Sequence, residues 1–534
     1  MCGICGEVRF DGGAASATAI AAMCDVMRPR GPDAGGQLLR DAVGFGHRRL
    51  RIIDLSVRGS QPMDDPELGL SLAFNGCIYN YRELRAELQS AGYRFFSDSD
   101  TEVILKAYAA WGTACVERFN GMFAFAIHER ESGRVVLARD RLGIKPLYLA
   151  DATGDDGKRG LRFASSLPAL IATDGVDRSI DPIALHHYMK FHAVVPPPYT
   201  IVKGVRKLPP ATVSVIEPDG ARRDHTYWAP SFARSDADLR ASAAEWQERV
   251  HDALLTAVKR RMVADVPVGV LLSGGVDSSL IVGLLAEAGQ SDLKTFSVGF
   301  ETVGGEEGNE FRYSDLIAEH YGTEHFKIPV PTDEMIGALP ATIHAMSEPM
   351  VSHDNVGFFL LSREVQKHVR VVQSGQGADE IFGGYHWYPP LAAPGAGISA
   401  YANAFFDRDQ AEYETVVSAA FRDEIDHSFQ FATDHFALPN APTAVDRALR
   451  LDTQIMLADD PVKRVDNMTM AWGLEARVPF LDHELVELAA KIPPEHKLKH
   501  DGKGVLKDVA RRVIPPEVID RPKGYFPVPA LKYI

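Results

Sequence analysis

The run Val266–Leu272 is almost wholly apolar, breaks at Ser273-Gly274-Gly275 and passes into a helical stretch over Ser278–Ala288. A strand with no polar side must lie in a sheet covered on both faces. The pattern repeats downstream. Lys294–Phe300 reads as a second strand, Phe311–Gly322 as an amphipathic helix, Glu324–Val330 as a third strand, and Val369–Gln373 as another that again ends in glycines. Such alternation predicts an α/β domain built on a parallel sheet. From Asp407 onward the periodicity is mainly helical, which adds helices to that domain. Pro389–Ala400, biased to Pro, Gly and Ala, reads as a loop.

The first 210 residues have another texture. Short β-prone runs (Val43–His47, Leu70–Asn75, Met122–His128, Val135–Arg139, Pro146–Ala150) are separated by turn residues. One helix is clear at Thr101–Trp111, with Ser99 or Asp100 as its cap. Many strands with few helices predict an α+β sandwich. Residues 216–242 are polar and carry Gly220 and Pro230, so they read as a connection between domains at 2–215 and 243–534. A chain of 534 residues is too long for one ordinary core, which agrees with two domains.

The net charge of −15 argues against nucleic acid and anionic membranes as partners. No apolar run approaches the roughly 20 residues of a membrane span, and the N-terminus lacks the charged-then-apolar pattern of a signal peptide. The cytoplasm is the expected compartment. All five cysteines fall in the first 115 residues, too few for a disulfide framework. Cys2-x-x-Cys5 has the spacing of half a zinc site or a redox pair, but no second ligand pair follows it.

Cys2 suggests a different chemistry. Removal of Met1 would give one residue both a thiol and a free α-amine, whose ordinary pKa near ~8 lets it act as base for its own side chain. Acyl chemistry there needs donors for an oxyanion, and Asn75-Gly76 offers a side-chain amide and a backbone N–H. Arg49 is a candidate partner for a substrate carboxylate and Asp100 for a substrate ammonium. Asn75-Gly76 is equally a good turn, and Asp100 equally a helix cap.

Met1–Gly6, Arg30-Gly31-Pro32-Asp33, Arg49-Leu50, Asn75–Asn80, Ser99–Glu102 and Arg139–Tyr148 together resemble class II glutamine amidotransferase domains. The resemblance spans the whole first domain. It implies an αββα sandwich of the N-terminal-nucleophile hydrolase type, in which Cys2 attacks the glutamine amide and releases ammonia. It assigns Arg49 to the glutamine carboxylate, Asp100 to its α-amine, Asn75 and Gly76 to the oxyanion, and the main chain of Ile52 and Ile53 to holding the ligand. Cys77 departs from the family, where many members carry Glu, and so loses one contact to the glutamine ammonium.

In the second domain, Ser273-Gly274-Gly275-Val276-Asp277-Ser278-Ser279 joins an apolar strand to a helix. Glycines admit an anion close to the backbone, and helix N–H groups and serine hydroxyls donate to phosphate. Asp277 would repel phosphate unless Mg²⁺ lay between them, so it reads as a metal ligand. The Gly-Lys-Ser/Thr ending of a Walker loop is absent. The loop resembles that of adenylating ATP pyrophosphatases, of the adenine nucleotide alpha-hydrolase type. The resemblance implies Mg²⁺ with ATP, a second anion-facing segment at Ser374-Gly375-Gln376-Gly377-Ala378-Asp379-Glu380, Asp379 sharing the metal with Asp277, and Leu271 and Val298 against adenine. It assigns Lys507 to the charge of departing pyrophosphate. Arg464–Met468 and Leu474–Asp482 also match, and their charges read first as a structural ion-pair network.

The two halves are similar to the class B asparagine synthetase family, which implies amide synthesis with ammonia passed through an internal tunnel. The acceptor pocket would follow Ser347-Glu348-Pro349, at His353, Asp354 and Asn355, with Gln376 where some asparagine synthetases carry Glu. Cys2–Glu7, Phe74–Tyr79, Arg162–Pro168, His186–Tyr188, Phe191–Pro196 and His353–Asn355 resemble the N-acetylglutaminylglutamine amidotransferases more closely, which implies osmoprotectant biosynthesis. Aspartate is the alternative acceptor. A non-catalytic glutamine or ATP sensor is a second alternative, and a glutaminase feeding a partner protein a third. Oligomeric state is not legible, with a homodimer as the assembly to test. The chain ends at Ile534, where relatives usually continue with further helices, and whether it is truncated there is not legible from the sequence.

Overall fold

The computed structural model describes residues 2–153, 159–301, 308–349, 352, 354–422 and 424–521. The front half forms two six-stranded antiparallel sheets. One has the order Val205–Lys207, Tyr148–Thr153, Arg159–Ala164, Gly3–Arg9, Val43–Arg49, Ala34–Arg40. The other runs Arg222–Thr226, Thr212–Ile216, Val135–Arg139, Gly121–Glu129, Leu70–Ile78, Met63–Asp65. Strand alternation sends Ile4, Val8, Phe45 and Phe163 of the first sheet and Ala73, Ala124, Ala126 and Leu137 of the second into one buried layer. Small alanines opposite large rings let the two sheets interdigitate, each large buried side chain contributing about 1.5–3 kcal/mol. The helix Ala17–Val26 covers the first sheet with Ile20 and Met23, and Asp100–Trp111 covers the second with Val103 and Ile104. The result is the αββα sandwich.

Two expectations need correction. The segment 216–242 is not all connection, because Arg222–Thr226 pairs antiparallel with Thr212–Ile216. All five of its residues are exposed and polar, as suits a protected sheet edge, and that is why it reads as linker. Pro389–Ala400 is not all loop: a short 3₁₀ turn spans Pro389–Ala392, and the helix Ile398–Phe405 begins before the segment ends.

The back half carries a five-stranded, wholly parallel sheet in the order Glu324–Val330, Lys294–Phe300, Val268–Leu271, Val371–Gln373, Glu475–Arg477. The fifth strand is a short charged segment and carries no strand signal in the sequence. Buried ion pairs join the halves. Arg30 meets Asp466 at 2.8 Å, Lys207 meets Asp459 at 2.6 Å, and the Tyr148 hydroxyl donates to Glu348 at 3.1 Å. Breaking one partner of such a pair costs roughly 3–5 kcal/mol, so the two halves hold a fixed relation.

Candidate active site

Two separate cavities gather the residues singled out above. The first is lined by Cys2, Arg49, Ile52, Ile53, Gly76, Cys77 and Asp100 from the front domain. Cys2 enters the strand Gly3–Arg9, and its sulfur lies 4.0 Å from the Leu50 carbonyl. Burial pushes its thiol above the ordinary pKa, so it needs a base to react. The Cys2 backbone nitrogen donates to Asn75 Oδ1 at 3.0 Å, which turns the amide so that Nδ2 is buried with no partner among the described residues. An unpaired buried donor is costly, by about 1–3 kcal/mol, and here it stands beside the nucleophile. At Gly76 a Cβ would lie 2.1 Å from the Met122 carbonyl, so only glycine brings the strand this close.

Arg49 is buried, its guanidinium fixed by the carbonyls of Ser56 (2.9 Å) and Asp54. Asp100 accepts from the Ile78 N–H at 3.0 Å, and burial raises its pKa to about 6. Ser99, not Asp100, caps the helix, since the Thr101 N–H donates to Ser99 Oγ at 3.1 Å. That leaves the Asp100 carboxylate directed at the cavity. Cys2 and Cys5 do not form a chelating pair. Three residues apart on one strand they take opposite faces, and Cys5 meets Cys24 at 3.6 Å. Two further wall residues come from the other domain. Glu475 and Arg477, paired at 2.6 Å, line the same cavity.

The second cavity, about 770 Å³, opens at the carboxyl ends of the parallel strands, the usual ligand crevice of such sheets. Leu271 and Val298 line it, with Ser273, Gly275, Asp277, Ser278, Ser374, Gly375, Gln376 and Asp379. Gly274 turns the loop with φ +76°, and a Cβ there would press on Tyr313 at 2.8 Å. Ser279 is fully buried behind the loop and is not on the cavity wall. Of the expected acceptor residues, Asp354 and Gln376 reach the wall and Asn355 is buried behind it. His353 lies outside the described residues.

A second lysine joins the expected one on the cavity wall. Lys507 lines the cavity, but its ammonium is held by the His500 carbonyl. Lys503, absent from the sequence-based assignment, bridges Asp277 at 2.7 Å and Asp379 at 2.8 Å. Those two carboxylates raise the Lys503 pKa against the effect of burial. The bridge shows that Asp277 and Asp379 face one cation position, and their hard carboxylate oxygens would suit Mg²⁺. Glu380, the last residue of the second anion-facing segment and given no role of its own from sequence, lies on the same wall, accepts from the Tyr385 hydroxyl at 2.7 Å, and burial raises its pKa to about 8. Among the described residues no helix is long and apolar enough to cross a membrane.

Residues 1–228 match the family model described as glutamine amidotransferase domain, and residues 249–533 the one described as asparagine synthase. The chain is 33% identical to glutamine-hydrolysing asparagine synthetase 1 of Bacillus subtilis, over 94% of this chain and 82% of that protein. It is 35% identical to a putative glutamine-hydrolysing asparagine synthetase of Mycobacterium tuberculosis, over 99% and 88%. With asparagine synthetase B of Escherichia coli the identity is 28%, over 94% and 77%.

Proposed function

The chain belongs to the glutamine-hydrolysing asparagine synthetase family and is an ATP-dependent carbon–nitrogen ligase, and on that premise we propose that its acceptor is the C-terminal carboxylate of N-acetylglutaminylglutamine. The observation that carries the two-site reading is the pairing, in one tightly joined chain, of a Cys2 cavity with an unpaired amide donor and a nucleotide-sized cavity at a glycine loop.

In the first cavity Arg49 takes the glutamine α-carboxylate and ionised Asp100 its ammonium. The Cys2 sulfur attacks the side-chain amide carbon, with the α-amine freed by Met1 removal accepting the thiol proton. Asn75 Nδ2 and the Gly76 N–H hold the oxyanion. The α-ammonium returns that proton to the leaving nitrogen as the intermediate collapses and expels ammonia, and water hydrolyses the thioester to glutamate. In the second cavity the acceptor carboxylate attacks the α-phosphorus of ATP. Pyrophosphate leaves toward the loop N–H groups and Lys503, which balances its charge. Mg²⁺, when bound at Asp277 and Asp379, supplies further charge neutralisation on the phosphates. Ammonia then attacks the acyl-adenylate carbonyl, forming the amide and releasing AMP. An internal route keeps the ammonia unprotonated.

The choice of acceptor is supported by the stretches that resemble N-acetylglutaminylglutamine amidotransferases and by Gln376 on the cavity wall. A neutral amide suits a substrate rich in amides, whereas aspartate brings an ammonium and two carboxylates that need charged partners. The names of the relatives favour aspartate, and kcat/KM at saturating ATP and glutamine decides between the two. The dipeptide is expected to exceed aspartate by at least roughly tenfold, the cost of one buried polar mismatch. Equal values, or a preference for aspartate, would overturn this choice.

A further inference from the structure

The strand Glu475–Arg477 belongs to the synthetase sheet, yet two of its side chains wall the glutamine cavity. Arg477 is fully buried and engages its whole fork. Nε donates to Glu475 at 2.6 Å, one terminal nitrogen donates to the carbonyls of Arg261 and Val263 at 2.8 Å each, and the other lies 3.8 Å from Cys77 Sγ. The guanidinium also lies over Tyr79, 5.5 Å from its ring centre. Cys77 follows the oxyanion glycine directly, so Arg477 braces that segment from the other domain.

The main chain of the same residue faces the other way. Its carbonyl accepts from the Ser374 N–H at 2.8 Å, at the start of the second anion-facing loop, and Arg477 is in register with Gln373 on the adjoining strand. Ser374 and Gly375 line the nucleotide cavity. One residue therefore touches the glutamine cavity with its side chain and the nucleotide loop with its backbone. A planar fork engaged at all three of its nitrogens transmits displacement in a way that a single flexible ammonium does not. Glu475 and Arg477 also act electrostatically on Asp100, the carboxylate across the cavity.

We propose that Arg477, paired with Glu475, is a positioning residue that shapes the glutamine site from the synthetase domain and makes it respond to occupancy of the Ser374–Gly375 loop. This rests on the reading of the Cys2 cavity as the glutamine site. A ligand that draws the loop onto phosphate moves the strand end, and the guanidinium moves the Cys77–Tyr79 segment with it.

The test is steady-state glutamine hydrolysis by the full chain, with and without a non-hydrolysable ATP analogue plus Mg²⁺. In the wild type the analogue should shift the glutamine KM by at least about threefold, with a smaller change in kcat. Arg477→Lys keeps the charge but cannot span four partners, so it should raise KM about tenfold, the loss of one charge-assisted contact, and abolish the analogue response. Ammonia-driven pyrophosphate release, retained in this variant, reports an intact fold. If that release is lost, Glu475→Gln decides: a raised, unresponsive KM supports the proposal and a wild-type KM overturns it. A wild-type chain indifferent to the analogue, or an Arg477→Lys chain with wild-type KM and response, overturns it as well. Absence of glutaminase in the wild type, or its persistence in Cys2→Ala, would instead sink the underlying reading of the site.

Discussion

Replacing Lys503 by alanine isolates the electrostatics of the nucleotide cavity. In the structure this one ammonium sits within 2.8 Å of both Asp277 and Asp379 and is 10% exposed. Without it the two carboxylates lose the ammonium they share. Two unit charges about 5 Å apart at an effective dielectric near 20 repel by about 3 kcal/mol. The same lost charge weakens the hold on departing pyrophosphate, where negative charge accumulates in the transition state. If about 2–3 kcal/mol of that survives Mg²⁺ binding, kcat/KM for ATP should fall by roughly 30- to 150-fold. Lys507→Ala provides the comparison. Its ammonium is engaged by the His500 carbonyl at the cavity rim, so its loss should cost less than about fivefold. Continuous pyrophosphate release with ammonia as nitrogen source reads the step without involving Cys2, and glutamine hydrolysis should stay intact in both variants. A Lys507 variant as impaired as the Lys503 variant, or a Lys503 variant with normal release, would refute this assignment of charge.

Three further outcomes follow from the glutamine cavity. Cys2→Ala should abolish glutamine hydrolysis while ammonia-driven amide formation persists, and equal loss of both would contradict separate sites. Asn75→Ala removes the unpaired Nδ2 donor and should lower glutaminase kcat by about 10²–10³ with a smaller effect on KM; a change confined to KM would remove Asn75 from the oxyanion hole. Asp100, with its pKa raised to about 6 by burial, is neutral below that pH and ionised above it. The free-enzyme kcat/KM for glutamine should therefore fall as pH drops through about 6, and Asp100→Asn should be low and flat across that range. A wild-type profile that is level from pH 5 to 7 would count against the pairing of Asp100 with the ammonium.

What the sequence determined by itself is local. The apolar strand, its glycine break and the following helix lie within one short stretch, so the strand–loop–helix unit at the cavity wall was legible without tertiary information, while Leu271 was assigned there only through the family resemblance. Cys2 was singled out because the chemistry proposed for it depends on its place next to the chain start. Ser99 and Asp100 were visible, but as competing caps, and only the folded helix gave the cap to the serine and the cavity to the aspartate. Lys503 was not legible. It stands before the helix Gly504–Ala510 with φ +54°, off the helical periodicity, and its meaning depends on carboxylates far away in sequence. Glu475 and Arg477 read as a structural ion pair, which they are. That the same pair also walls a cavity in the other domain follows from the sheet order, and strand pairing between residues about a hundred positions apart leaves no local pattern to read.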